Sequence, residues 1–288
     1  MTLRKFKNYD LEDFPPVLAW NPIAMRCDRV DEGCRNCWHL RYCNRAKNNP
    51  LFAEPLREAY AGKHPPVVRS ELIVDGADFG KNPRVIATLF MGDLWHEAVT
   101  DAMRSHVVRA FLDNPRHIFL LLTKHPERVT EVLPDNCWFG TSVHDQASAE
   151  LRVPKLLATK CKHKWLSCEP MLDFIDFAGE SWDYKCGPGK IEWISCGLET
   201  GPGARNTDYF LFESFAWHCE LRKIPFYDKR DRYICCDCEK TSDKYIFTHY
   251  SGPVPVCPKC KRYAVLNNPG ITRREWPREW REKTGDKQ

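Results

Sequence analysis

Residues 85–122 read VIATLFMGDLWHEAVTDAMRSHVVRAFLDNPRHIFLLL. The segment opens on a continuous apolar run at 85–90, the pattern of a strand buried on both faces. The period then changes: over 100–112, Ala102, Met103, Val107, Ala110 and Phe111 recur at helical spacing. Asn114-Pro115 stops that helix, and HIFLLL at 117–122 is the next buried run. Strand, helix and strand in this order make a β-α-β unit, whose crossover requires parallel strands.

The unit repeats on both sides. Downstream, 126–133 reads as a short helix with proline in its first turn, and 138–142 as a strand. A helix over 146–159 follows, then runs at 164–167 and 191–195. Asp208 is a candidate cap for a helix ending at Leu221, and 225–227 is a last short strand. Upstream, the apolar stretch 17–20 is a first strand, stopped by Asn21-Pro22. Residues 1–16 are a charged lead-in, and 44–84 look polar and irregular, with a helical turn or two at 56–60. About six units predict an α/β fold with a parallel sheet, enough for a barrel or an open, partial barrel, with a doubly wound flat sheet as the alternative.

The bulk properties bound the rest. A hydrophobic fraction of 43 % over 288 residues is ample for a buried core. A net charge of +4 permits a nucleic-acid partner without demanding one. No segment approaches the roughly 18 apolar residues of a membrane span, and the first sixteen residues hold no apolar run of the secretory kind. Fifteen cysteines without a secretion signal point to a reducing compartment and to metal ligation. A cytoplasmic protein without membrane association is the expectation.

Directly after the first strand comes WNPIAMRCDRVDEGCRNCW, residues 20–38. It places Cys27, Cys34 and Cys37 in the spacing C-x6-C-x2-C. Clustered soft thiolates fit zinc or an iron–sulfur cluster. A structural zinc site wants four ligands, whereas three thiolates can hold a [4Fe–4S] cube and leave one iron open. Cys43, six residues on, is a possible fourth ligand.

In a parallel barrel the chemistry gathers where strands end. The strand ends here carry Gly92-Asp93 and Trp95-His96-Glu97, then Thr123-Lys124-His125, then Ser142 and His144-Asp145. Further on come Ser167-Cys168-Glu169-Pro170, then Glu199 with the turn 200–205, and finally Asp228, Lys229 and Arg230. Asp93, Asp145 and Asp208 also suit helix caps. Glu169 and Glu199 are harder to treat as plain turn residues, because a carboxylate at a buried strand end is costly without a partner. The turn at Gly201-Pro202-Gly203 can present N–H groups to an anion. His39, His64 and His163 fall into no usable pattern.

A second metal motif lies at 235–260. Cys235-x2-Cys238 and Cys257-x2-Cys260 match the pattern of a zinc ribbon, two C-x2-C turns closing a tetrahedron. Lysines and Arg262 around it suit phosphates. The predicted organisation is a barrel at 1–230, a ribbon at 231–265 and a basic tail at 266–288, where Trp276 and Trp280 suit a short helix packing on the barrel.

Taken together, Trp20-Asn21-Pro22, the three cysteines, Gly92-Asp93-Leu94-Trp95-His96-Glu97, Leu122-Thr123-Lys124-His125-Pro126-Glu127-Arg128, Ser142-Val143-His144-Asp145-Gln146, Ser167-Cys168-Glu169-Pro170 and Gly201-Pro202-Gly203-Ala204-Arg205 resemble the phage-type three-cysteine-motif family. That family is similar to a branch of the radical S-adenosylmethionine (SAM) superfamily. The resemblance covers 17–230. It implies a partial (β/α)6 barrel of radical SAM type and a [4Fe–4S] cluster on Cys27, Cys34 and Cys37, with SAM on the open iron and an electron from a reductant such as flavodoxin or ferredoxin. Most of the superfamily has C-x3-C-x2-C; here the first gap is six residues. By strand order, Gly92, Asp93, Ser142 and Glu169 are expected at SAM, leaving Glu199, Lys124 and Arg205 for substrate. The implied activity is radical rearrangement of a modified base, such as a hypermodified thymidine in viral DNA, in the host cytoplasm. RNA or another substrate is the alternative, as is a non-catalytic zinc protein that binds nucleic acid.

Overall fold

Every apolar run read as a strand is one, because alternate residues of each run face two different cores. The structure is a computed structural model that describes residues 4–5, 17–73, 79–176, 190–200, 203–205, 207, 209–229, 233–235, 241–242, 246–249, 253–256, 264–266 and 276–285. The strands in chain order are β1 (Arg4–Lys5), β2 (Leu18–Trp20), β3 (Ile23–Ala24), β4 (Val67–Val68), β5 (Val85–Thr88), β6 (Ile118–Thr123), β7 (Cys137–Ser142), β8 (His163–Cys168), β9 (Ile191–Cys196) and β10 (Phe226–Asp228). The main sheet has the order β1-β2-β5-β6-β7-β8-β9-β10. β1 pairs antiparallel with β2, and the seven strands from β2 onward are parallel and curl into a half-barrel. The flat doubly wound alternative is not what forms: the strand order never reverses, as a topological switch would require.

The helices are α1 (Trp38–Ala46), α2 (Glu54–Ala61), α3 (Asp101–Asp113), α4 (Gln146–Ala158), α5 (Tyr209–Leu221) and α6 (Arg278–Thr284). The outer face of the sheet buries Ile86, Phe119, Leu121, Phe139, Leu166 and Ile194 against Val107 and Phe111 of α3, Val153 and Leu156 of α4, and Phe212 and Phe215 of α5. The inner face is aromatic. Trp138, Trp165, Trp193 and Tyr227 project there, and Trp276 and Trp280 at the α6 end fill the space between them. Trp280 lies 5.0 Å from Trp138 and 4.9 Å from Trp193, centroid to centroid. The tail thus closes one end of the half-barrel with rings, the packing expected for its two tryptophans. Gly140 is the position that admits this layer: a Cβ there would stand 2.5 Å from the Trp165 ring. That ring is itself fixed by Nε1–H donating to the carbonyls of Leu121 and Trp138.

Three expectations are corrected. Residues 126–133 are not a helix but one 3-10 turn, Pro126–Arg128, after which Val129 is already extended. The stretch from 44 holds more order than expected: the helical turns at 56–60 belong to α2, which with α1 packs Cys43, Ala46, Ala59 and Tyr60 into a small core of their own. Asp93 caps no helix; α3 is capped by Thr100, whose side chain accepts from the Met103 N–H. The cap at Asp145 is present, with Ser148 completing a capping box.

Beyond the half-barrel are β11 (Tyr233–Cys235), β12 (Thr241–Ser242), β13 (Ile246–His249), β14 (Pro253–Val256) and β15 (Ala264–Leu266). They pair as a small antiparallel sheet, β12-β11-β15, and a β13-β14 hairpin. Cys238, Cys257 and Cys260, together with Gly201, Pro202, Asp208 and Arg230, lie outside the described residues, as does the side chain of Cys235.

Candidate functional site

The chain leaves β2, pairs briefly as β3, and enters the cysteine loop at the C-terminal edge of the sheet. Four residues of that loop reach three different places on the rim. Asp28 Oδ2 lies 3.2 Å from His96 Nε2, in the loop after β5. Asp31 accepts from Lys124 Nζ at 2.6 Å, after β6, and from the Arg152 guanidinium on α4. Glu32 Oε2 accepts from Arg205 Nη1 at 3.0 Å. Asn36 Nδ2 donates to Glu199 Oε2 at 2.9 Å and to the Gly203 carbonyl at 2.7 Å, both after β9. The loop is laced across the half-barrel mouth from one side to the other.

Asp31 is the best-held of these. Burial pushes its carboxyl up, but the Lys124 ammonium and the Arg152 guanidinium overcome this and hold it well below the usual carboxylate range. Arg152 also donates to the Ser142 carbonyl at 2.9 Å, which fixes it at the end of β7. His144, kept low by burial and partly restored by Asp31 and Asp145, completes the pocket. Gly33 fits beneath: a Cβ there would stand 3.2 Å from Asp31 Oδ1, His144 Nδ1 and Lys124 Nζ alike.

The thiols lie inside this lacing. Lys124 Nζ is 3.2 Å from Cys34 Sγ. Burial first, then the neighbouring Asp93, Cys37, Cys43 and Cys34, raise the Cys27 thiol, so the three motif cysteines and Cys43 share one neighbourhood. Cys43 is placed differently. It is fully buried on α1, with Sγ 3.6 Å from the Met25 carbonyl and 3.5 Å from His39 Nε2. Burial pushes its thiol up to about 11 and pulls His39 down to about 4. Among the described residues no group of three or more His, Cys, Asp or Glu side chains forms a metal site as it stands.

The remaining rim residues divide into two sets. Gly92 packs on Met25, with a would-be Cβ 2.9 Å from its Sδ. The chain reaches that turn through Leu89, which is left-handed at φ 53°. Asp93 accepts from Trp95 N at 2.9 Å, from Thr123 Oγ1 at 2.7 Å and from Lys124 N at 3.0 Å. It therefore fixes the β5 and β6 ends to one another beside Cys27. On the far side, Glu169 accepts from Ser195 Oγ at 2.7 Å and from Lys229 Nζ at 2.5 Å. Burial lowers Lys229 and the Glu169 carboxylate offsets part of this. Sequence reasoning does not single out Arg152, Asp31 or Ser195. Arg152 and Ser195 carry no sequence signal; Asp31 is marked only by lying between the cysteines.

Glu199 is only 4 % exposed at its side chain and pairs with Arg205 Nη2 at 2.6 Å. Burial raises its carboxyl, but hydrogen bonds from Arg205 and Asn36 bring it down to about 2. The folded value lies below the unfolded one of about 4.3. This carboxylate therefore stabilises the fold fully above the unfolded value, and its contribution is lost as pH falls towards the folded value. Glu199→Gln is expected to lower stability by about 2 kcal/mol near neutrality. The gap to the parent chain should shrink by about half between pH 6 and pH 3 in urea unfolding. A gap constant across that range would mean that the charge of Glu199 contributes nothing.

No described helix is long and apolar enough to cross a membrane. A family model described as a protein of unknown function, DUF5131, matches residues 17–252. No curated protein and no solved structure matches the chain.

Proposed function

The chain belongs to the DUF5131 family, and for this member we propose the activity of a radical SAM enzyme acting on a modified base in DNA. The observation that carries the reading is three cysteines on one loop at the strand-end rim. Cys27, Cys34 and Cys37 lie on that loop, with Lys124 Nζ 3.2 Å from Cys34 Sγ, while Cys43, the fourth thiol near Cys27, lies on α1, fully buried, with its Sγ 3.6 Å from the Met25 carbonyl and 3.5 Å from His39 Nε2. Three thiolate donors fit a [4Fe–4S] cluster with an open iron and do not fit a closed zinc tetrahedron. When bound and reduced, that cluster supplies, with SAM, a 5′-deoxyadenosyl radical able to remove a hydrogen atom from an unactivated C–H bond.

The protein's own residues have three tasks in this reading. Lys124 holds Cys34 through its ammonium and holds the loop through Asp31. Asp93, tied to both β5 and β6 and beside Cys27, would accept from the amino group of SAM. The aromatic layer of Trp138, Trp165 and Trp193 closes the half-barrel beneath and keeps water from the reacting carbon. The six-residue first gap also acquires a reason. Asp28, Asp31 and Glu32 all lie in it, and all three are anchors.

The remainder of the proposal is a rearrangement of a hypermodified thymidine that helps viral DNA evade restriction. It includes a zinc ribbon at 231–265, an electron from flavodoxin or ferredoxin, and action in the cytoplasm. The test is anaerobic purification with iron and sulfide analysis, then reduction with SAM and detection of 5′-deoxyadenosine, with Cys34→Ala as control. Close to four irons per chain and turnover lost in the control are expected from the cluster stoichiometry. A colourless protein with zinc and no iron would sink the proposal.

A further inference from the structure

The outer face of the cysteine loop and of α1 matches no role described so far. On α1, His39, Leu40, Cys43 and Ala46 face the core. Trp38, Arg41 and Arg45, spaced by three and four, share the opposite side. Trp38 follows the last motif cysteine and is 41 % exposed; Val30, in the first gap of the same loop, is 43 % exposed. Single exposed apolar residues are ordinary, but these two lie in a segment rich in cations. Between 26 and 47 the chain carries Arg26, Arg29, Arg35, Arg41, Arg45 and Lys47. The only anions in that span are Asp28, Asp31 and Glu32, a surplus of three positive charges where the whole chain has +4. Those three carboxylates lean onto His96, Lys124 and Arg205 at the rim. Arg29, Arg45 and Lys47 are exposed on the outer side.

We propose that this face is a DNA-strand binding surface, on which Trp38 stacks an unpaired base and the flanking cations, Arg45 foremost, track the phosphates. An exposed ring on a helix face that also carries arginines is the kind of surface that binds single-stranded nucleic acid without reading its sequence. Arg41 Nη2 donates to the Thr200 carbonyl at 2.6 Å, which joins the surface to the rim turn after β9. A strand lying here passes the mouth of the half-barrel, and a base extruded from it enters the site. The proposal rests on the enzyme reading for its purpose and supplies that reading with its polymer substrate.

The test is fluorescence anisotropy of a labelled mixed-sequence single-stranded DNA oligonucleotide with the full chain, with RNA of the same sequence in parallel. Trp38→Ala should weaken DNA binding by about ten-fold, Trp38→Phe should keep it within about three-fold, and Arg45→Glu should weaken it and flatten its salt dependence. Circular dichroism confirms that each variant is folded. Wild-type affinity in both Trp38→Ala and Arg45→Glu, no DNA binding by the parent chain, or preferred binding of the RNA would each overturn the assignment. The enzyme reading stands or falls separately on 5′-deoxyadenosine. DNA bound through Trp38 without that product keeps the surface and removes the chemistry; the product with binding indifferent to Trp38 and Arg45 does the reverse.

Discussion

Asp31→Ala should destabilise the protein by about 2–4 kcal/mol and release the cysteine loop from the rim. The magnitude follows from what is left behind. Side-chain exposure is 14 % at Asp31, 20 % at Lys124 and 6 % at Arg152, so two cations would remain in a largely dry pocket without their shared carboxylate. Breaking a buried pair from one side ordinarily costs about 3–5 kcal/mol, and the partial access of water to Lys124 reduces this. Asp31→Asn keeps the shape and hydrogen-bonding capacity but not the charge, and should fall between the parent and the alanine variant. The readout is the urea midpoint at unchanged slope. Iron retained after gel filtration of the reconstituted protein should fall in the same order, because Lys124 then loses the group that aims it at Cys34. Unchanged midpoints for both variants would show that the loop is held by its backbone and the other anchors alone.

The same residues show how far the order of amino acids carries the fold. The strands are legible because a parallel strand buried on both faces is apolar at every position. Ile118, Phe119, Leu120 and Leu121 satisfy two cores at once. Helix α3 is legible from its period, and α4 from its period and the Asp145 cap. α1 is not, because its buried side is built from His39, Leu40, Cys43 and Ala46, of which two read as chemistry rather than core. α2 is narrowed to 56–60 by the proline in its first turn, which marks a helix start as readily as a loop. Residues 126–133 fail in the other direction: a proline start is visible, but nothing announces that Val129 turns extended. The rim residues can be named, since they follow apolar runs, but not paired. Asp31 meets Lys124 across 93 positions and Arg152 across 121. Arg152 lies in mid-helix and reads as a solvated arginine until the fold turns it inward.

Glu169→Ala is expected to be as damaging as the loss of Asp31, for a reason that separates structure from chemistry. From strand order Glu169 is expected at SAM, yet both of its oxygens are engaged, Oε1 by Ser195 and Oε2 by Lys229. The Lys229 side chain is only 11 % exposed, and Gly197 closes over the pair, with a would-be Cβ 3.4 Å from both side chains. Alanine at 169 takes the neighbouring carboxylate from that buried ammonium, at a cost of about 3 kcal/mol. Removing both charges together, Glu169→Ala with Lys229→Met, takes away the cation as well and should recover most of the stability, as replacement of buried pairs by apolar groups commonly does. The double variant is then the informative protein. If Glu169 only neutralises Lys229, the stabilised double variant should form 5′-deoxyadenosine from SAM at close to the parent rate. If the carboxylate contacts SAM when it binds, stability returns and turnover does not. A Glu169→Ala chain as stable as the parent would refute the stabilising role of the ion pair itself, because an ammonium this buried cannot lose a carboxylate at 2.5 Å without a measurable penalty.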